Sequence, residues 1–322
     1  MEEKISLKDI EKGTKIENRE FLISRQSEGI SINGSKFYTL ELKDKSGSIF
    51  GKIFNVSKEE EEIAKLGNYI YVSGEVVDYN GNKQIKIKDI KEIEPRLINK
   101  EDFISVSPID YEELLEKLKS FIGSIQNDKY KEIVRYILNK YKDNYLSHPA
   151  GVSIHHSTLH GLLMHSINVA EVCDSLCKIY SYTNIDRDLL ISSAIIHDIG
   201  KIFELTTSGG SYSYSLEGHL LGHISIGYKL IDEASKELNI EGEEPLLLEH
   251  LILSHHGKLE FGSPVRPCLL EAEILSKIDD LDAKINSIST QLESTKPGAF
   301  TPKMLHLDNI TFYKPKNDTE DK

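Results

Sequence analysis

The stretch Ile191–Glu204, ISSAIIHDIGKIFE, decides how the rest of the chain is read. It opens apolar, delivers His197 and Asp198 side by side, breaks at Gly200 and presents Lys201. At helical spacing Leu190, Ala194 and His197 share one stripe, and Ile191, Ile195 and Asp198 share the next. Both polar groups continue apolar faces and are expected to point into a core. A buried imidazole beside a buried carboxylate is costly unless compensated, and a metal ion is the usual compensation. A bare His–Asp dipeptide more often marks a fraying helix end, so its surroundings decide.

Those surroundings repeat the pattern. Of 12 histidines, all but His306 fall between residues 148 and 256. His165 shares a stripe with Val169, Val172 and Leu176. His223 follows Leu216 and Leu220 and precedes Leu230. His255 follows Leu248 and Ile252, and Asp279 follows Ala272 and Leu275. One such residue is more often a satisfied core side chain than a ligand. Together, without a metal, they would leave a crowd of buried polar groups seeking partners. His165, His197, Asp198, His223, His255, His256 and Asp279 supply enough nitrogen and oxygen donors for two divalent ions, with Asp198 the natural bridge. Mixed imidazole and carboxylate ligands suit Mn, Fe, Co or Zn. Two such ions can activate water and stabilise both attacking and leaving oxygens of a displacement at phosphorus. Lys201 could reach a phosphate oxygen as a point charge, although a lysine near a helix C-terminus also has an ordinary reading.

Composition bounds the setting. A chain of 322 residues with 39% hydrophobic and 28% charged content reads as soluble, with about two domains. No apolar run approaches the roughly 20 residues needed to span a bilayer, and no signal peptide is read at the start. Cys173, Cys177 and Cys268 make no disulfide framework, so a reducing cytoplasm is expected, with Cys173 and Cys177 as core packing. The net charge is −13, which argues against broad adhesion to nucleic acid. Residues 1–96 hold 17 Lys+Arg and 18 Asp+Glu, a balance of −1, and the remainder holds 22 and 34, a balance of −12.

The less acidic part reads as strands: Phe21–Ser24, Phe37–Lys43, Ile49–Phe54, Tyr69–Val77 and Gln84–Ile90. Turn signals at Asn33-Gly34, Asp44–Gly47 and Asn80–Asn82 bound them, and Ser57 opens a Glu-rich helix after the third strand. This is the chain order of an OB-fold barrel, a common binder of single strands through aromatic stacking and a basic groove. Candidate contacts are Phe37, Tyr38, Phe50, Phe54, Tyr69 and Tyr71 with Lys52, Lys86 and Lys88. Alternation puts half of such aromatics inside a small barrel, and it does not say which half. From Tyr111 the period turns helical: Tyr111–Ile125, Asp128–Tyr141, Gly161–Tyr180, Asp186–Ile199, Glu217–Leu238, Pro245–His256 and Pro267–Ile285. The expected architecture is an all-β barrel domain over 1–96, a linker over 97–110, an all-α domain over 111–295, and a C-terminal segment over 296–322. That segment folds back on the body and ends in a disordered tail.

The order His165, His197-Asp198-Ile199-Gly200-Lys201, His223, His255-His256-Gly257, Asp279 resembles the HD-domain metal-dependent phosphohydrolases that hold two metals. GLLMHSINVA at 161–170, LLGHISIG at 220–227, LILSHHGKLEFGSP at 251–264 and KIDDLDAK at 277–284 are similar to one branch, the YhaM-type 3'-5' exoribonucleases. Members of that branch also carry an N-terminal OB-fold, and the resemblance covers nearly the whole chain. It implies a Mn-dependent exonuclease that trims single-stranded RNA from the 3' end, often with activity on single-stranded DNA. It assigns metal binding to His165, His197, Asp198, His223, His255, His256 and Asp279, and phosphate contact to Lys201. One of the adjacent His255 and His256 could instead face substrate, and His155-His156 stand as a substrate-side element. Two departures matter: His160 stands where the family has Gly, and Phe54 stands near the family's Trp. Catalysis is thus expected of Asp198, Lys201 and His197, and the barrel reading gives Phe37, Tyr38, Phe54 and Lys52 as substrate contacts.

Rival readings are an HD phosphohydrolase of a small nucleotide and a non-catalytic single-strand-binding protein of replication or repair. The attached barrel, and GKLEFGSP where the cyclic-di-GMP enzymes have Gly-Tyr-Pro, argue against the first. The complete ligand set argues against the second. A di-iron oxygenase ranks below both. The helical surface leaves room for a homo-oligomer.

Overall fold

The computed structural model describes residues 5–316, apart from 8, 31–33, 80–81, 95, 97, 99–101, 104–107, 152–157 and 209–210. The chain divides into two units, Met1–Val106 with Thr206–Ser213, and Ser107–Leu205 with Tyr214–Lys322.

In the first unit β1 (Lys15–Ile30), β2 (Lys36–Asp44), β3 (Gly47–Phe54), β4 (Tyr69–Tyr79) and β5 (Asn82–Glu92) close a barrel in the order β1-β2-β3-β5-β4. All neighbours are antiparallel except β3 and β5, which run parallel. Strict alternation sends Leu40, Leu42, Ile53, Ile70, Val72, Val76 and Ile85 inward, where they are fully or almost fully buried. β1 is far longer than its apolar centre suggests, because its polar flanks pair with both β2 and β4. Register shifts at Ile16/Arg19 and Ile23/Arg25 bend it from one neighbour to the other. Helix α1 (Lys58–Ile63) bridges β3 and β4. Ser57 caps it, its hydroxyl accepting from Glu60 N while the Glu60 carboxylate accepts from Ser57 N.

The second unit is helical: α2 (Tyr111–Ser124), α3 (Asp128–Lys140), α4 (Lys142–Ser147), α5 (Gly161–Ile179), α6 (Arg187–Ile196), α7 (Lys201–Glu204), α8 (Leu216–Glu237), α9 (Glu244–Ser254) and α10 (Leu270–Glu293). Every residue of α6 from Leu189 to Ile196 is buried, as expected of a helix apolar on all sides. It is the central rod, and α5, α9 and α10 pack against it. Its N-terminus is capped by the Asp186 carboxylate. The Arg187 guanidinium reaches back to Asp174 on α5 at 2.7 Å. Beyond α10, paired residues Phe300–Tyr313 and Met304–Ile310 form a hairpin-like turn, and the His306 ring meets Ser287 Oγ of α10 at 2.6 Å.

Two elements differ from the sequence expectation. The helix expected over 217–238 kinks at Gly222 (φ 70°, ψ 155°). Leu216 and Leu220 therefore fall out of phase and are exposed, while Leu230 beyond the kink is buried. The stripe that joined them to His223 does not exist, although His223 itself faces inward. Secondly, α7 runs into a hairpin of β6 (Leu205–Ser208) and β7 (Ser211–Tyr214). Thr206-Thr207 and Tyr212–Tyr214 around Gly209-Gly210 were its signal in the sequence. Residues 317–322, expected to be a disordered tail, lie outside the described residues.

Candidate metal centre and nucleic-acid face

The ends of helices build the centre. His165 comes from the first turns of the buried half of α5. His197 and Asp198 come from the turn where α6 stops, and Lys201 and Glu204 from α7. His223 follows the α8 kink, His255 and His256 follow α9, and Asp279 and Asp282 lie on α10.

The five ring-bearing ligand candidates share one hydrogen-bonding habit. His197 Nδ1 meets Ala194 O at 2.9 Å, His255 Nδ1 meets Ile252 O at 2.6 Å, and His256 Nδ1 meets Phe261 O at 2.9 Å. His165 Nδ1 meets Asp282 Oδ2 at 2.7 Å, and His223 Nδ1 meets Glu204 Oε1 at 2.9 Å. Carbonyl and carboxylate oxygens can only accept, so each Nδ1 carries the hydrogen and each neutral ring presents an Nε2 lone pair. This is the arrangement by which protein groups orient metal-ligating histidines.

Those lone pairs converge in two groups. His165, His197 and Asp279 form one, and His223, His255 and His256 the other, the ligand atoms of each lying within 4.8 Å of one another. Asp198 stands between them. Its Oδ2 is 3.5 Å from both His165 Nε2 and His197 Nε2. Its Oδ1 is 3.4 Å from His223 Nε2 and 3.7 Å from His255 Nε2. Asp279 Oδ1 lies 3.1 Å from His165 Nε2.

The donor set fits divalent cations. Asp198 Oδ1, His223 Nε2 and His255 Nε2 are buried without a hydrogen-bond partner, a costly state unless a cation takes up the lone pairs. His165 Nε2 and His197 Nε2 face each other at 3.0 Å, which two lone pairs tolerate only with a proton or cation between them. The electrostatics of the first group call for positive charge, which a proton on His197 supplies when no cation does. Burial works against protonating His197, yet the Asp198 and Asp279 carboxylates prevail and hold its pKa up to about 10. Burial would raise the carboxyl of Asp198, but Lys201 and His197 hold it well below its ordinary value. His255 is pushed down to about 4, chiefly by burial, and keeps its lone pair at neutral pH. Asp198 also receives the Lys201 ammonium at 2.6 Å, and that contact outweighs burial to raise the lysine pKa.

All seven metal candidates and Lys201 thus converge. His255 is fully buried and His256 half-buried, with its ring 5.1 Å from that of His223. Asp282, Glu204 and Asn168, whose amide donates to Asp282 Oδ1 at 3.1 Å, were not singled out in the sequence. The signal for the two carboxylates was spacing, since Asp282 follows Asp279 by one helical turn and Glu204 follows Lys201 likewise. His155 and His156 lie outside the described residues. His160 adopts a left-handed backbone (φ 64°), a conformation glycine takes at no steric cost, and its ring lies 4.4 Å from that of Tyr111.

In the barrel unit, β2 and β3 turn Phe37, Lys52 and Phe54 outward together. Phe37 and Phe54 are cross-strand partners with rings 5.3 Å apart. Lys52 Nζ lies 5.6 Å from the Phe37 ring and 5.2 Å from that of Tyr79. Tyr38 is a correction: it alternates inward with Leu40 and Leu42 and is only 6% exposed, so its ring has no face to offer a base.

Comparison with known proteins agrees with both halves. The HD domain family matches residues 162–284, and the OB-fold nucleic acid binding domain family matches residues 23–93. The 3'-5' exoribonuclease YhaM of Geobacillus sp. (strain WCH70) is 42% identical over 295 residues, covering 91% of this chain and 90% of that protein. Among solved structures, the second OB-fold domain of replication protein A from Methanococcus maripaludis is similar at 25% identity, covering 26% of this chain and 92% of that one, with a TM-score of 0.20. Barrel and metal centre together define a hydrolase of the HD class, metal-dependent, carrying a nucleic-acid-binding OB-fold. Within that class, the chain belongs to the YhaM 3'-5' exoribonuclease family.

Proposed function

We propose that this chain shortens single-stranded RNA from its 3' end by metal-dependent hydrolysis, releasing nucleoside monophosphates, with single-stranded DNA as a second substrate. The observation that carries this reading is Asp198, whose two oxygens address two separate groups of inward lone pairs. His165, His197 and Asp279 would hold one ion and His223, His255 and His256 the other, with Asp198 shared. Such ions, manganese in this reading, supply Lewis acidity that makes water a nucleophile near neutral pH and neutralises charge on the phosphate.

The remaining roles belong to the protein's own groups. Lys201 is kept protonated by Asp198 despite its burial, so it offers a fixed positive charge to a phosphate oxygen. Asp282 and Glu204 orient the rings of His165 and His223 and fix their tautomers. Phe37 and Phe54 would stack on bases of the upstream strand, with Lys52 set among them for the backbone phosphates. No helix among the described residues is long and apolar enough to cross a membrane. We place the activity in the cytoplasm on the cysteine usage, since Cys173, Cys177 and Cys268 are all free thiols.

The test is degradation of a 5'-labelled single-stranded RNA by metal-stripped protein, with and without added manganese, beside Asp198→Ala. A ladder shortening from the 3' end, present only with metal and absent in the variant, is expected. RNA that is bound yet left intact with every divalent metal tried would overturn the reading.

A further inference from the structure

Phe261 lies in the run after the His255–His256 pair, outside the apolar core of its unit. Its side chain is 58% exposed, yet its backbone is tied to the metal centre through the bond from His256 Nδ1 to Phe261 O. The loop between them is built to one shape. Gly257 (φ 75°) turns the chain out of α9, and a Cβ there would meet Ser276 Oγ at 2.4 Å. A single 3-10 turn, Leu259–Phe261, follows and ends at Gly262 in the left-handed region (φ 94°).

A solitary exposed phenylalanine would be unremarkable on a protein surface. This one has company on the same group of ligands. Leu259 is exposed in the same turn. Leu220 and Leu221, 74% and 53% exposed, immediately precede Gly222 and His223, whose ring lies 5.1 Å from that of His256. Exposed apolar residues therefore stand next to the His223–His255–His256 group along the chain, on two different elements. Lys258 adds a cation, its Nζ 5.0 Å from the Phe261 ring centroid. An aromatic face beside a cation suits a nucleobase joined to phosphate.

We infer that Phe261 stacks on the base of the 3'-terminal nucleotide while the scissile phosphate lies at the metal centre, with Leu221 lining the base and Lys258 facing the backbone. The inference rests on the exoribonuclease reading. Stacking is indifferent to base identity, because every base has a π-face, and an enzyme that removes each nucleotide in turn needs that indifference. The stacking residue sits on the loop that carries a ligand, so seating the base and seating the phosphate are one event.

The experiment compares the full chain with Phe261→Ala and Phe261→Trp, in manganese, on an RNA oligonucleotide and on the same RNA ending in an abasic ribose. For the intact RNA, KM should rise roughly tenfold or more in Phe261→Ala and stay near the wild-type value in Phe261→Trp. On the abasic RNA, wild type and Phe261→Ala should have the same KM, since the ring then has nothing to stack on. Wild-type cleavage with an unchanged KM in Phe261→Ala overturns this inference alone. So does an equal loss on both RNAs, which would mean that the substitution only disturbs His256. A wild-type protein that hydrolyses no RNA overturns the exoribonuclease reading, and this inference with it.

Discussion

An imidazole can bind metal through one nitrogen only if the other is told where to keep its hydrogen. Asp282 gives that instruction to His165, accepting at 2.7 Å, and Asn168 steadies its second oxygen at 3.1 Å. Removing the Asp282 carboxylate leaves His165 free to rotate and to change tautomer. Asp282→Ala should therefore weaken metal binding or activity by roughly 10- to 100-fold, read by manganese titration of the stripped protein. Asp280→Ala is the contrast, since Asp280 is exposed and pairs with Lys284 one turn on. Equal titrations for the two variants would remove Asp282 from the site. The inward positions of His165, His197, Asp198 and His255 were legible in the sequence, because a His or Asp that continues an apolar stripe is out of place. The stripe assigned to His223, in contrast, is broken by the α8 kink. Asp282 and Glu204 stand one turn from Asp279 and Lys201, but spacing alone did not say that they face inward. KIDDLDAK reads as a solvated acidic face until the fold says which carboxylate turns inward. Likewise alternation separates Phe37 from Tyr38, but only barrel closure decides which of the two is inside.

Between elements, the decisive contact is backbone against backbone. Gly200 has an ordinary helical φ of −62°, so its conformation does not demand glycine. Space does, since a Cβ there would lie 2.0 Å from His223 O and 2.8 Å from Gly227 N. A Cβ added at Gly218 would likewise run into Glu204 O. α7 and α8 thus touch without side chains between them, which lets Glu204 reach the His223 ring. An alanine at 200 must drive α7 away from α8, carrying Lys201 and Glu204 with it. Gly200→Ala should cost about 1–3 kcal/mol of stability, as overpacking does, and should loosen metal at the His223 group ahead of the His165 group. Thermal unfolding and metal content after dialysis measure the two effects. Gly123→Ala, with nothing within 4 Å of the added Cβ, should leave both measurements close to wild type. A Gly200→Ala protein as stable and as metal-rich as wild type would show that the helices can part without consequence. Helix positions and the HD turn were readable from periodicity. The α8 kink was not, because Gly222 sits inside a pattern that a continuous helix satisfies equally well.

At the scale of the whole molecule, charge separates capture from chemistry. Residues 1–96 balance at −1, while the remaining residues carry −12. A polyanion is repelled by the second part in general and needs a local surface to hold it. On the proposed function, the outward set of Phe37, Phe54 and Lys52 would be that surface. Longer RNA should depend on it and the shortest substrates should not. Replacing both Phe37 and Phe54 by alanine should raise KM for a long RNA roughly tenfold or more, given stacking of about 1–3 kcal/mol per base, with kcat at saturation little changed. A dinucleotide, with a single phosphodiester and no upstream strand to stack, should be cleaved as by wild type. Lys52→Gln should lower the slope of log KM against log salt by about 0.7, the share of one phosphate contact on a single strand. Tyr38→Phe tests the opposite face, for a ring buried in the barrel core should leave KM for every length of RNA unchanged. If the Phe37 and Phe54 variant lost dinucleotide and long RNA equally, the barrel would be supporting the fold of the enzyme and not holding its substrate.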